Sequence, residues 1–270
     1  LKNIQLLKLT PISKITLEKT GYTLHHNESR EHFDKVIIAT GGSPKESGMY
    51  WLRQLGLSIS PPVPSLFTFN IPGDQVKTLM GLVVENATVR IQGTKLKYSG
   101  PVLITHWGMS GPAVLKLSAW GAKMLAEKKY QFKIQINWLS IKSEEEAHDI
   151  LKKADASIRA KKIMNANPFG LPNRMWAFLL QKVKINPDMK WFDLSKKNLN
   201  QLLNTLLNDI YEVSGKTTFK EEFVTCGGVK LSEIDMTSME SKALKNLYFA
   251  GEVMDVDGIT GGFNFQAAWT

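Results

Sequence analysis

Cysteine is almost missing from this sequence. Cys226 stands alone, which excludes an internal disulfide and any multi-cysteine zinc site. A lone thiol reads first as a small buried hydrophobe. Long apolar runs are missing too: no stretch approaches the roughly 20 residues a bilayer-spanning helix needs. Residues 1–10 lack the basic, apolar, small-residue order of a signal peptide. The expectation is a soluble, cytoplasmic chain with no membrane partner. Five histidines, His25, His26, His32, His106 and His148, form no H-E-x-x-H ligand pair. Adjacent His25 and His26 would point to opposite faces of a strand, so no metal is implied. A hydrolase elbow is also lacking. Gly108-Met109-Ser110-Gly111-Pro112 comes near G-x-S-x-G, but Pro112 replaces the last glycine, and the sharp strand-to-helix turn depends on that position. Ser110 is expected instead to help start a helix at Pro112.

What is present is enough for a sizeable core. The chain has 270 residues, 43% of them hydrophobic, which leaves room for two domains. The net charge of +9 is unevenly spread. Residues 1–66 carry 8 Lys/Arg against 5 Asp/Glu, residues 67–218 carry 22 against 12, and residues 219–270 carry 4 against 8. Basicity therefore belongs to the middle of the chain, where it can attract nucleic acid or small anions. The doublets Lys128-Lys129, Lys161-Lys162 and Lys196-Lys197 are short and interrupted by acids. An anion- or nucleic-acid-binding module built on this middle region is the alternative reading, and nucleic acid is not the expected principal partner. A milder version is a basic entrance for a carboxylate substrate or NADPH.

Along the chain, residues 14–18 and 21–25 alternate as strands around a turn at Lys19-Thr20-Gly21. Val36-Ile37-Ile38-Ala39 reads as a strand buried on both faces, running into Thr40-Gly41-Gly42. Pro61-Pro62-Val63-Pro64 reads as a stiff connector at a domain boundary. The middle region changes texture. Ala87, Val89 and Ile91, and then Phe132, Ile134, Ile136 and Trp138, mark half-buried antiparallel strands. Pro112 suits a helix start, with Val114, Leu117, Gly121, Met124 and Leu125 on one face. Ser143 and Glu146 form a capping box. A last helix follows Ser195, with a stripe of Leu199, Leu202, Leu203, Leu206, Leu207 and Ile210. The middle is thus expected to be a small barrel or sandwich followed by a helical bundle. After Gly215 the texture reverts. Residues 223–229 read as a strand into a glycine turn, and residues 247–252 as an apolar strand ending in Gly251-Glu252. Gly261-Gly262 then leads into a helix that stops without a cap at Thr270, while Leu1–Leu9 begin without methionine. Both ends read as cut, and the chain as a fragment.

Four blocks carry a resemblance: residues 36–42 (VIIATGG), 105–112 (THWGMSGP), 224–229 (VTCGGV) and, most specifically, 247–266 (LYFAGEVMDVDGITGGFNFQ). Together they resemble the BaiN-like (YhiN-type) NAD(P)/FAD-dependent oxidoreductases, over essentially the whole chain. The resemblance implies an α/β fold, a partial FAD-binding domain of the two-dinucleotide-binding type, interrupted by an inserted β-barrel plus helical domain. The expected organisation is residues 1–66 and 219–270 in the FAD domain and 67–218 inserted. It further implies FAD as cofactor, NAD(P)H as electron donor and a small-molecule substrate such as an unsaturated ring. By resemblance, Thr40, Gly41 and Gly42 run beside FAD, Gly251 and Glu252 meet its ribityl or pyrophosphate region, and Gly261, Gly262, Phe263 and Asn264 cap the isoalloxazine; Asp255, in the same block, joins the cofactor set. The chain departs from the family at its start, because no G-x-G-x-x-G-like phosphate loop occurs, which implies weakened FAD retention.

Overall fold

The computed structural model describes residues 3–43, 45–217 and 224–269. It falls into two compact units, Leu1–Ser65 with Phe223–Thr270, and Leu66–Glu222. The expected strand start at Phe223 and the expected boundary at 218/219 lie outside the described residues.

The first unit opens with strands β1 (Ile12–Glu18), β2 (Gly21–His26) and β3 (Ser29–Phe33), then β4 (Val36–Ile38), helix α1 (Tyr50–Gln54) and β5 (Ile59–Ser65). In the second unit follow β6 (Thr68–Asn70), β7 (Val83–Ile91), β8 (Lys97–Ile104), β9 (Gly108–Ser110), α2 (Pro112–Trp120), α3 (Ala122–Glu127) and β10 (Gln131–Asn137). Helices α4 (Glu144–Ile158), α5 (Asn173–Lys182) and α6 (Lys196–Asn208) lead to β11 (Asp209–Ser214) and β12 (Lys216–Thr217). The chain then returns to the first unit with β13 (Val224–Val229), β14 (Ile234–Asp235), β15 (Glu240–Ser241), β16 (Leu247–Phe249) and α7 (Gly261–Trp269).

In the second unit the sheet order is β11-β10-β7-β8-β9-β6-β12. Strands β11 and β12 are one extended segment jointed at Gly215, whose φ of +95° is open to glycine without strain. The Gly215 carbonyl accepts from Asn70 N at 3.2 Å and its N–H donates to Tyr130 O at 2.9 Å. Because this segment pairs with β10 at one end and β6 at the other, it closes the sheet into a barrel, which removes the edges an open sheet would expose. Alternate residues point inward: Val89, Ile91, Ile134, Ile136, Tyr211 and Val213 are all buried. The helices do not follow the barrel, as the apolar patterns suggest; they are inserted before the strand that closes it.

Local signals explain most of the helix starts. Ser143 Oγ accepts from Glu146 N at 3.4 Å, while Glu146 reaches back to Lys142 N at 3.0 Å. Ser195 Oγ accepts from Asn198 N at 3.2 Å. Pro112 takes the first helical position, but the residue capping it is Gly111, and Ser110 is buried in β9 and paired to β8. A side chain at Gly111 would meet Pro101 O at 2.8 Å, so the strand pairing, not a hydroxyl cap, fixes this turn. The single helix expected through Leu125 is broken at Gly121 into α2 and α3.

In the first unit, β1-β2-β3 form an antiparallel sheet, β14-β15-β16-β4 a second, and β5-β13 a ribbon. The proline-rich stretch is therefore a strand, not a linker. Val63 and Pro64 stand opposite Cys226 and Thr225, and proline is tolerated because a two-stranded ribbon leaves one side of the strand without a partner. Tyr22, Val36, Ile38, Leu52, Leu247 and Phe249 anchor the core. The Tyr22 hydroxyl donates to Lys245 O at 2.8 Å, tying the first sheet to the second. Strand β4 is packed on one face only: Val36 and Ile38 are buried, but Ile37 is 70% exposed at the sheet edge. No helix among the described residues is long and apolar enough to cross a membrane.

Candidate functional site

Strands β4 and β16 run parallel in register, Val36 beside Leu247 and Ile38 beside Phe249, and Ala250 N donates to Ile38 O at 3.0 Å. Parallel pairing makes both chains leave the sheet at the same end. Thr40, Gly41 and Gly42 emerge from one strand, Gly251 and Glu252 from the other. Carboxyl ends of parallel strands are where α/β sheets bind ligands.

Gly42 is where these segments close on one another. A Cβ placed there would sit 2.7 Å from Thr225 Oγ1, 2.9 Å from Thr225 Cβ and 3.5 Å from the Glu252 carbonyl oxygen. Strand β13 is thus brought against the two strand ends, and glycine is required by the closeness of the approach. Thr225 is 1% exposed, and its Oγ1 is buried without a hydrogen-bond partner. Buried hydroxyls normally find partners, because leaving one unpaired costs on the order of 1–3 kcal/mol. Thr225 was not legible as a site residue; a strand threonine beside a glycine pair is ordinary in sequence.

Beyond Thr225, the ribbon carries a bulge at Gly227. A Cβ on Gly228 would fall 2.4 Å from Val253 O, so the Gly251–Val253 turn lies directly on the ribbon. Asp255 N donates to Val229 O at 2.8 Å, placing Asp255 at the end of the same strand. Asp257 accepts from Ser65 Oγ at 3.0 Å. Glu252 is half-buried; loss of solvent, and then the neighbouring Asp257 carboxylate, raise its pKa above the ordinary 4.5.

The C-terminal block is arranged differently from the strand ends. Asn264 is 4% exposed, and its side chain is spent on the preceding loop: Oδ1 accepts from Gly258 N at 2.8 Å, and Nδ2 donates to Gly258 O and Thr260 O at 3.1 and 2.9 Å. Gly261 opens α7, Gly262 has open space at its Cβ position, and Phe263 is 61% exposed. Helix α7 meets the strand-end turn through Ala268, 3.8 Å from a Cβ on Gly251. The structure therefore unites Thr40–Gly42, Gly251, Glu252 and Thr225, with Asp255 and Asp257 alongside. The helix start follows a loop that the Asn264 side chain laces together. A cavity of about 340 Å³ opens beside β4, lined mainly by apolar groups, among them Ile15, Leu24, Val36, Ile37 and Ala39, with Thr40 also in its wall. That volume lies at the small end of the usual ligand-pocket range.

Residues 63–224, more than half the chain, match the domain described as the HI0933-like protein barrel and H2TH domain. The chain belongs to the HI0933-like family. The barrel with helices inserted before its last strand is this matched region. Among curated relatives, the chain is similar to a ribosomal RNA dihydrouridine synthase of Escherichia coli strain K12, 28% identical over 277 residues, covering 99% of this chain and 66% of that protein. A 3-dehydro-bile acid delta(4,6)-reductase of Clostridium scindens is 26% identical, covering 96% of this chain and 65% of that protein. A ribosomal RNA dihydrouridine synthase of Haemophilus influenzae is 28% identical, covering 94% and 62%. The chain thus spans slightly less than two thirds of the length of these relatives.

Proposed function

We propose that this chain belongs to an NAD(P)H-linked flavoprotein oxidoreductase, and that the ends of β4, β13 and β16 form part of its FAD site. One observation carries the reading: the Gly42 cradle holds an unpartnered, fully buried hydroxyl, Thr225 Oγ1, where two parallel strands end. These residues fit such a group. Gly41 has nothing within 4 Å of its Cβ position, so backbone is free for the close approach of a flat ring or a nucleotide. Glu252, half out of water, is suited to accept from a sugar hydroxyl, a charge-assisted bond worth about 1.5–3 kcal/mol. When bound, FAD supplies hydride transfer and the protein supplies positioning. Gly41 and Gly42 would set the approach distance, Glu252 would orient a sugar hydroxyl, and the Thr225 hydroxyl would be available as a donor.

The names of the relatives support a reaction class. Both describe saturation of a carbon–carbon double bond, in a uracil ring or in a bile acid. We infer that this protein reduces an unsaturated ring conjugated to a carbonyl. The test is titration of FAD into the chain, followed by flavin fluorescence and the visible absorption spectrum. Glu252→Ala is expected to weaken binding about ten- to a hundredfold, the equivalent of that hydrogen bond. Affinity unchanged in both Glu252→Ala and Gly42→Val, or no FAD binding by the wild-type chain, sinks the reading.

A further inference from the structure

We infer that the helical part of the second unit carries a binding surface for single-stranded RNA, formed where the segments after α4 and before α6 are laid side by side. The inference rests on the proposed reductase reading and selects, between its two substrate kinds, the polyanion over a small carboxylate. Trp191 N donates to Lys161 O at 3.2 Å, Phe192 N to Arg159 O at 3.1 Å, and Ile163 N to Met189 O at 2.8 Å, with Lys162 bridged to Lys190. Trp191 is the anchor of this pairing: its Nε1 donates to Ala166 O at 2.8 Å and its ring stacks on Trp176. Phe192, the next residue, is consequently turned outward and is 55% exposed, with Lys190 Nζ 5.6 Å from its ring centre.

The exposed charge at this place is mostly positive, with Asp193 as the carboxylate next to Phe192. Arg159 and Lys162 are held by Asp155 and Asp188. No carboxylate among the described residues lies within ion-pair distance of Lys161, Lys190, Lys196 or Lys197. The last two occupy the first turn of α6, where the helix dipole disfavours cations, so helix stability does not account for them. Between these segments lies an apolar cleft of about 140 Å³ lined by Leu151, Ile158, Trp191, Leu194 and Leu199, with Asp155. Several unpaired cations around an exposed aromatic and an apolar cleft match what a single strand offers, phosphates at intervals with bases free to stack. A steroid carboxylate has one charge to satisfy, and would leave most of these cations unused.

The test is a fluorescence-anisotropy titration of a labelled oligouridylate of about 16 nucleotides, a full single-strand site, with the whole chain at several salt concentrations. Lys161→Glu with Lys190→Glu should weaken binding and flatten the log–log salt dependence, by about 0.7 for each phosphate no longer neutralised. Phe192→Ala should weaken binding about 5- to 100-fold, the range for one stacked base, with the salt slope unchanged. Lys128→Ala with Lys129→Ala, on the turn before β10, should change neither. All these positions are exposed, and thermal melting by circular dichroism verifies the fold of each variant. Absent RNA binding, no effect of Phe192→Ala, or an equal loss in the Lys128/Lys129 variant overturns the assignment. FAD titration of the same proteins separates the two readings, since RNA binding without flavin binding sinks only the flavin site, and the converse only this surface.

Discussion

The hydroxyl of Thr225 occupies the space that a side chain on Gly42 would fill, 2.7 Å from where its Cβ would be. The two residues come from distant parts of the chain and meet at the end of the parallel pair. Thr225→Val removes the unpaired hydroxyl while keeping the shape. Without ligand it should leave the chain as stable as wild type, or more stable by up to about 1–3 kcal/mol, the usual penalty for such a group. With FAD it should bind more weakly. Urea unfolding and flavin titration check the two halves, and a clear loss of stability without ligand would show that the hydroxyl is already satisfied.

Gly42→Ala tests the same relationship from the other side. The added methyl must displace Thr225 or the strand end, and overpacking of this kind costs about 1–3 kcal/mol. The denaturation midpoint should fall, and Gly42→Ala with Thr225→Ala should recover part of the loss, because the smaller residue vacates the space. An additive double mutant would mean that the two do not touch.

Glu252 gives a pH dependence. Its folded-state pKa is raised by burial and by Asp257, so between the unfolded value near 4.5 and the raised folded value the folded chain holds more protons than the unfolded chain. Stability contributed by this group therefore falls as pH rises through that window and is flat above it. Glu252→Gln, which cannot ionise, should flatten this part of the profile and gain relative to wild type at neutral pH. Chemical denaturation between pH 4 and pH 8 checks it, and a gain that is the same at every pH would assign the effect to packing.

Patterning along the chain made some of this legible. Ser143 with Glu146 and Ser195 are local signals with local partners, so the helix starts can be read from neighbouring residues. Leu202, Leu203, Leu206 and Leu207 are buried as their spacing indicates. Ile210 continues that period in sequence, yet it is 50% exposed in β11, where pairing with Gln135 of β10 replaces the helical repeat with an alternating one. The prolines at 61, 62 and 64 conceal a strand because its partner, β13, lies across the inserted unit. Strand β4 and the glycines after it could be seen, since an apolar run ending in small residues is a local feature. Thr225 could not, because its meaning comes only from what Gly42 and Glu252 bring to it.

Asn264 ties the loop before α7. Its three side-chain hydrogen bonds hold Gly258 and Thr260, so Asn264→Ala leaves the Gly258 amide and two carbonyls without their partner. The expected result is local, with faster hydrogen exchange at Gly258 and in the first turn of α7 and unchanged protection in the barrel. Asn264→Asp keeps the acceptor for Gly258 N but places negative charge against two carbonyl oxygens, and should loosen the loop nearly as much. Protection unchanged in both variants would show that the helix is held by other contacts.

The barrel closes on a buried carboxylate. Asp209 is 3% exposed at the start of β11 and accepts from Trp138 Nε1 at 3.0 Å, Tyr211 Oη at 2.6 Å and Lys182 Nζ at 2.5 Å. Burial and the Asp209 carboxylate push the Tyr211 hydroxyl well above its ordinary range, so it stays a donor. Lys182→Met leaves the carboxylate buried with two neutral donors and no counter-charge. Breaking a buried pair in this way costs about 3–5 kcal/mol, and the low end applies here because Lys182 is 32% exposed and partly screened. Asp209→Asn in the Lys182→Met background removes the uncompensated charge, and should be more stable than Lys182→Met alone even though an amide satisfies Trp138 and Tyr211 less well. Urea unfolding of the two single variants and the double variant decides it. If the double variant is the least stable of the three, the ion pair is not what Lys182 contributes, and its packing over the Tyr211 ring, 4.1 Å from the centre, is the larger effect.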